Sequence, residues 1–185
     1  MNAFEVEQEL LPGCLLLNCR RSADARGSFV KTFHAQMFEE LGIPFTLREA
    51  FHSHSQRGVL RGMHFQRPPH DHNKLVACRS GRVLDVVLDL RAGPGYGRVA
   101  AVKLSGEADQ LLFVPRGLAH GFLVLSDEAV MDYQTSSVHA PTHDAGLRWD
   151  SFGFDWGVPA PLLSPRDAAH PALADFATPF TATGS

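Results

Sequence analysis

The chain has 185 residues, yet only three cysteines, no long apolar run and no block of charge of one sign. Each scarcity excludes a class of protein. Cys14, Cys19 and Cys78 are odd in number and lack the paired spacing of a metal or redox motif, so they read as reduced thiols. No stretch reaches the roughly 18 apolar residues of a membrane span. Glu5, Glu7 and Glu9 precede the first base, Arg20, so no secretory leader is readable, and a cytoplasmic location without a membrane partner is expected. Lys and Arg total 17 against 20 Asp and Glu, interspersed along the chain, which leaves no basic stripe to grip a phosphate backbone. Nucleic acid is therefore not an expected partner. Repeats, linkers and low-complexity segments are missing too, which predicts one domain over 1–175 and a short tail over 176–185, frayed or docking on a partner.

What is present is the composition of a globular core, with 44% hydrophobic and 20% charged residues. From Val59 to Leu125 the sequence alternates short apolar runs with Gly, Pro and Asp: Val59–Phe65, Lys74–Cys78, Val83–Leu90, Ala100–Leu104, Leu111–Val114 and Gly121–Leu125. Each run has the length of a strand, and strands at this spacing predict an all-β sandwich or barrel. Gln36–Leu41 and a stretch after Pro165 read as short helices. Pro68-Pro69, Gly93-Pro94-Gly95 and Pro115-Arg116-Gly117 read as the loops between strands.

Ten histidines are many for this length. His34, His54, His143 and His170 lie in polar segments and read as surface. Arg61 and His64, however, interrupt an apolar strand, where an unpartnered ionisable group is costly. Lys74 opens the next apolar run, and Pro115-Arg-Gly117-Leu-Ala-His120 starts another. A metal site is the first chemistry that such histidines invite. Pro115-x-Gly117-x-x-His120 resembles half of a cupin metal signature, and His70-x-His72 has the spacing of the other half. Asn73, Lys74 and Leu75 then stand where a carboxylate should, and Val124 where an Asn should, so the metallo-cupin remains only an alternative. Acid–base chemistry without metal needs a base, an orienting carboxylate, a cation and an acid; His64, Asp167, Lys74 and Tyr133 supply those types.

Together these residues resemble a known family, the dTDP-4-dehydrorhamnose 3,5-epimerases and related epimerases of nucleotide-linked 4-keto-6-deoxy sugars. The resemblance is carried by Arg26-Gly-Ser-Phe29, Gly58-Val-Leu-Arg-Gly-Met-His-Phe-Gln66, Lys74-Leu-Val, Asp85-Val-Val-Leu-Asp-Leu-Arg91, Pro115-Arg-Gly-Leu-Ala-His-Gly-Phe122, Tyr133, Arg148-Trp-Asp150 and Leu163-Ser-Pro-Arg-Asp167, in order over nearly the whole chain. It implies a cupin-type antiparallel barrel (jelly roll) with short peripheral helices. It also implies a homodimer that exchanges N-terminal strands, for which Leu10, Leu11, Leu15, Leu16 and Leu17 offer either a shared interface or ordinary core.

By the same resemblance, His64 is the proton acceptor, Asp167 the carboxylate that orients it, and Tyr133 the proton donor. Lys74 and His120 line the sugar, and Arg26, Arg61 and Arg166 contact substrate, the first two best placed for a diphosphate. No cofactor and no metal are implied, because the substrate's C4 ketone is its own electron sink. The substrate implied is a nucleoside-diphosphate 4-keto-6-deoxy sugar. Alternatives are a single-centre epimerase on another carrier, a metallo-cupin, or a non-catalytic sugar-nucleotide-binding cupin.

The chain also departs from the pattern. Lys31 replaces a glutamate shortly after Phe29, Glu49 and Phe51 replace a Gln-x-Asn pair, and His139 replaces a thymine-stacking tyrosine. These positions are expected on the nucleoside side, away from the acid–base set, which puts the carrier in question. Finally, Arg61 and His64 are three apart and would point to opposite faces of a regular strand, so a bulge at Gly62 is expected.

Overall fold

The computed structural model describes residues 2–181. In chain order the elements are β1 (Phe4–Leu11), β2 (Cys14–Cys19), β3 (Arg21–Asp24), β4 (Gly27–Val30), α1 (Ala35–Glu40), β5 (Glu49–Gln56), β6 (Leu60–Gln66), β7 (Lys74–Ser80), β8 (Arg82–Asp89), β9 (Val99–Ser105), β10 (Gln110–Val114), β11 (Leu118–Val124), β12 (Glu128–Thr135), β13 (Asp144–Gly146) and α2 (Pro165–Ala168), then a 3-10 turn at Leu173–Asp175. Two antiparallel sheets face each other. One has six strands in the order β1-β2-β10-β7-β12-β5, the other five in the order β13-β6-β11-β8-β9. The fold is the expected all-β cupin barrel with short peripheral helices.

From β5 to β8 the chain alternates between sheets, and β10, β11 and β12 do so again. Residues close in sequence thus end on opposite walls of the barrel, His64 on one and Lys74 on the other. Between the walls lie Leu16, Val76, Leu112 and Met131 from the first sheet and Val87, Leu104 and Phe122 from the second. A second apolar layer, with Met63, Phe65, Val86, Leu88, Trp156 and Phe180, covers the outer face of the five-stranded sheet. β8 and β11 are consequently apolar on both faces, which is why they read as continuous runs in the sequence.

All three cysteines are free and buried, and burial raises the thiols of Cys19 and Cys78 to about 11. Leu11, Leu16 and Leu17 are buried within the chain itself, while Leu10 and Leu15 are half-buried. The C-terminal segment is tied down rather than frayed as far as it is described: Phe180 is buried, its N–H bonds Thr178 Oγ1, and Ala92 N–H bonds its carbonyl. The rest of the expected tail, 182–185, lies outside the described residues. Among the described residues no helix is long and apolar enough to cross a membrane.

Candidate active site

The site starts from the irregularity in β6. His64 pairs with His120 of β11, but Arg61 pairs with Phe122, so β6 spends three residues where β11 spends two. This is the expected bulge, and it turns Arg61 and His64 to the same cavity while Met63 packs outward. Gly62 is obligatory there: its φ is +140°, and a Cβ would come 2.5 Å from Gly121 Cα.

Asp167 reaches His64 from a separate element. Leu162 pairs with β6 through Leu60 N–H to Leu162 O (3.0 Å), which starts α2 beside the bulge. Ser164 caps that helix by accepting Asp167 N–H at 3.0 Å, with Pro165 at its first position. In a capping box the Asp167 carboxylate would turn back to the cap. Here it accepts Gly62 N–H (3.4 Å) and His64 Nε2–H (2.7 Å) instead. Burial opposes ionisation of Asp167, but the hydrogen bond and charge of His64, with Gly62 N–H and His170, outweigh it and hold the carboxyl below its ordinary value. With Nε2 protonated, Nδ1 of His64 carries the free lone pair.

Across the barrel, Tyr133 on β12 and Lys74 on β7 line the same cavity of about 280 Å³, with Arg61, His120, Glu49, Phe51, His139 and Arg166. Burial pushes the Tyr133 phenol well above its ordinary range, with Asp85 adding to the effect, so it keeps its proton. Lys74 Nζ donates to the His64 carbonyl at 3.0 Å. Burial lowers its ammonium to about 8, against the opposing pull of Asp144 and Asp85. Lys74 is thus a cation at neutral pH with donors left for a ligand. His120 Nε2–H donates to both oxygens of Asp85, at 2.9 and 3.0 Å, in a fully buried pair. Arg61 bonds Ser55 Oγ at 2.9 Å, and Arg166 pairs with Asp144 at 2.7 Å.

Of the residues singled out by sequence, His64, Asp167, Lys74, Tyr133, His120, Arg61, Arg166, Glu49, Phe51 and His139 are brought together at this cavity. Arg26, Phe29 and Lys31 are not among its lining residues. They belong to the β3–β4 hairpin and the residue after it, where Arg26 is 91% exposed and bonded to Asp24, and Phe29 is 65% exposed. Phe51 is not remote from the acid–base set either. The β5–β12 register sets it opposite Tyr133, and the two rings stack at 4.9 Å with 15° between planes. Glu49 accepts His139 N–H at 2.7 Å, so two of the departing residues hold each other.

Two residues were missed as site residues. Asp85, wholly buried in the apolar run of β8, orients His120; an acid within such a run is the same signal that singles out His64. His170, read as surface, is only 11% exposed and sits 3.6 Å from Asp167. Among the described residues the histidines of the metal-cupin signature form no three-ligand cluster, although His72 and His120 line the same cavity. His72 Nδ1 is held by Gln66 (3.0 Å) and His70 stacks on His143 at 4.3 Å, while His120 is taken by Asp85.

Comparison with known proteins gives the same family from sequence and from structure. A sequence model of the dTDP-4-dehydrorhamnose 3,5-epimerases matches residues 8–175. The Escherichia coli K12 dTDP-4-dehydrorhamnose 3,5-epimerase is 40% identical over 172 residues, 90% of this chain and 91% of that one. A Streptomyces niveus dTDP-4-dehydrorhamnose 3-epimerase is 39% identical over 157 residues, 83% of this chain and 76% of that one. The crystal structure of a Legionella pneumophila dTDP-6-deoxy-D-glucose-3,5-epimerase in complex with dTDP-4-keto-L-rhamnose superposes with a TM-score of 0.92 at 31% identity, covering 98% of this chain and 100% of that one. Agreement over almost the full length of both sequence and barrel leaves one assignment: the chain belongs to the dTDP-4-dehydrorhamnose 3,5-epimerase family, whose members are isomerases.

Proposed function

We propose that the chain inverts C3, C5 or both in a nucleoside-diphosphate-linked 4-keto-6-deoxy sugar, by proton transfer through an enolate. The observation that carries this reading is the His64–Asp167 pair at 2.7 Å, on one wall of a cavity whose other wall presents Tyr133 and Lys74. A ketone at C4 acidifies the hydrogens at C3 and C5. His64 Nδ1 takes one of them, Lys74 holds the oxygen that becomes negative, and Tyr133 returns a proton from the opposite wall. Asp167 keeps the His64 proton on Nε2 and the ring in place, as carboxylates do for catalytic histidines. His120, fixed by Asp85, lines the sugar. Arg61 and Arg166 supply positive charge near its diphosphate.

The test is solvent-deuterium incorporation with 4-keto-6-deoxy sugars on dTDP, UDP, CDP and GDP. Label at both carbons is the outcome for a 3,5-epimerase and label at one carbon for a single-centre enzyme. No label with any carrier would refute the reading. Glu49, Phe51 and His139 replace family residues around the substrate, so the carrier that works best is the informative part of that panel.

Lys74 adds a pH signature. Its charge is present below about 8 and lost as pH rises through that value. Tyr133, pushed higher by burial, does not titrate in the same window. The expected kcat/KM profile therefore falls on its alkaline side near pH 8, and Lys74→Arg, whose guanidinium stays charged, removes that limb. An alkaline limb left in place by Lys74→Arg would assign it to another group.

The β3–β4 hairpin suits a dimer in which Arg26, Phe29 and Lys31 reach the site of a second copy. The support is that an exposed phenylalanine and a cation partnered, among the described residues, within its own hairpin are not among the residues lining the chain's own cavity. Sedimentation at micromolar concentration is expected to give twice the chain mass. A fully active monomer would exclude the exchange.

A further inference from the structure

The imidazole of His170 lies against the proposed base pair, and the reaction written above gives it no role. Its Nε2 is buried without a hydrogen-bond partner among the described residues, 3.6 Å from Asp167 Oδ1 and so beyond bonding distance. The ring sits against the backbone of β13: a Cβ on Gly146 would fall 2.3 Å from His170 Nε2, so a glycine at 146 makes the room that the imidazole occupies. His64 meets His170 edge-on, with ring centroids 5.8 Å apart. One nitrogen of each ring and one oxygen of Asp167 lie within 4.8 Å of one another, and no other such His, Cys, Asp or Glu group occurs among the described residues. Two imidazoles and a carboxylate are a ligand set for Zn²⁺ and its transition-metal neighbours, and a poor one for Mg²⁺ or Ca²⁺.

We propose that His64, Asp167 and His170 bind a divalent transition-metal ion, Zn²⁺ foremost, and that its binding switches the base off. The inhibitory half of this rests on the epimerase reading; the metal site itself does not.

Metal–ligand distances of roughly 2.0–2.2 Å in a tetrahedron require ligand atoms roughly 3.3–3.5 Å apart. His170 Nε2 and Asp167 Oδ1 stand at 3.6 Å, His64 Nε2 and Asp167 Oδ1, at 2.7 Å, must part, and the two imidazoles offer nitrogens within 4.8 Å of each other. A metal on Nε2 of His64 takes the lone pair there, so the ring proton moves from Nε2 to Nδ1. No proton is gained or lost, but the nitrogen that would accept a substrate proton now carries one. Burial lowers the His170 imidazole from its ordinary value, in the direction of the neutral form that ligates a metal.

The experiment uses the untagged, chelator-treated full chain. Zn²⁺ calorimetry is expected to give one ion per chain, and Co²⁺ the visible absorption of a nitrogen-ligated ion. His170→Asn and His170→Gln, the second keeping more of the volume, are expected to weaken binding about a hundredfold or more, since even outer-shell partners of a metal cost roughly 10–100-fold. Thermal melts confirm that each variant is folded. Zn²⁺ should inhibit epimerisation by the wild-type chain, and both variants should need a correspondingly higher concentration, each normalised to its own metal-free rate. No Zn²⁺ binding, or equal binding by wild type and both variants, overturns the site. Tight binding with no loss of rate overturns the switch. If the metal-free chain turns over no carrier, the epimerase reading fails instead, and the Co²⁺ spectrum still decides the site.

Discussion

His64→Asn is expected to slow hydrogen exchange at the inverted carbons by about 10²–10⁴-fold, the usual worth of a general base, while leaving the barrel folded. The asparagine matters. Asp167 is 4% exposed and accepts the Nε2–H of His64, so deleting the side chain would strand a buried carboxylate. A side-chain amide still offers a donor to Asp167 but has no basic nitrogen for the substrate. His64→Ala removes both, and the lost partner adds a stability cost of about 1–3 kcal/mol. Deuterium wash-in followed by NMR, beside a thermal melt of both variants, separates the effects. The expected pattern is near-complete loss of exchange in both, with a lowered melt for the alanine variant. Exchange by His64→Asn within a few-fold of wild type would mean that another group takes the proton.

How much of this was legible in the sequence follows from where each strand lies. β6 to β11 are the walls of the barrel, and their apolar runs gave them away within a residue or two of their observed bounds, except that β11 begins three residues before its run, at Leu118. β5 did not announce itself, because it is the edge of the six-stranded sheet and mostly exposed; His52 and His54 alternate there with small and polar residues. β12 was legible in principle. Ala129, Met131, Tyr133 and Thr135 are buried with half-buried Val130, Asp132 and Gln134 between them, a period-two burial pattern that charge at Glu128 and Asp132 masks in a reading for apolar runs.

The site divides along the same line. His64 and His120 stand out because each lies within an apolar strand and Lys74 because it opens one, and Asp85 carries the same signal. Asp167 and His170 come from a turn whose local sequence is polar and surface-like. Burial reaches them only because the segment from Leu147 to Phe180 is laid over the outer face of the five-stranded sheet. No pattern within Ser164-Pro-Arg-Asp-Ala-Ala-His170 states that contact. Phe51 shows the limit of resemblance: a position assigned to the far end of the substrate proves, through strand register, to stack on the proposed acid.

That stack bears on the other large effect expected, which is on the outcome of proton transfer rather than its onset. Tyr133→Phe keeps the ring that lies on Phe51 at 4.9 Å and approaches His120 at 6.1 Å, and deletes only the hydroxyl. Proton abstraction from the His64 side can still occur, and the same imidazole can return the proton to the face from which it came. What fails is delivery from the opposite wall. The expected result is deuterium exchange retained within about tenfold while inversion falls by about 10²-fold or more, the loss of a general acid. Because burial holds the wild-type phenol protonated across the working pH range, that deficit should be constant from neutral pH to the alkaline limb set by Lys74. Substrate recovered with label but unchanged configuration is the signature to seek by NMR. Inversion and exchange falling together would instead place Tyr133 in binding or in proton abstraction, and the donor would then have to be sought elsewhere on the wall formed by β5, β7 and β12.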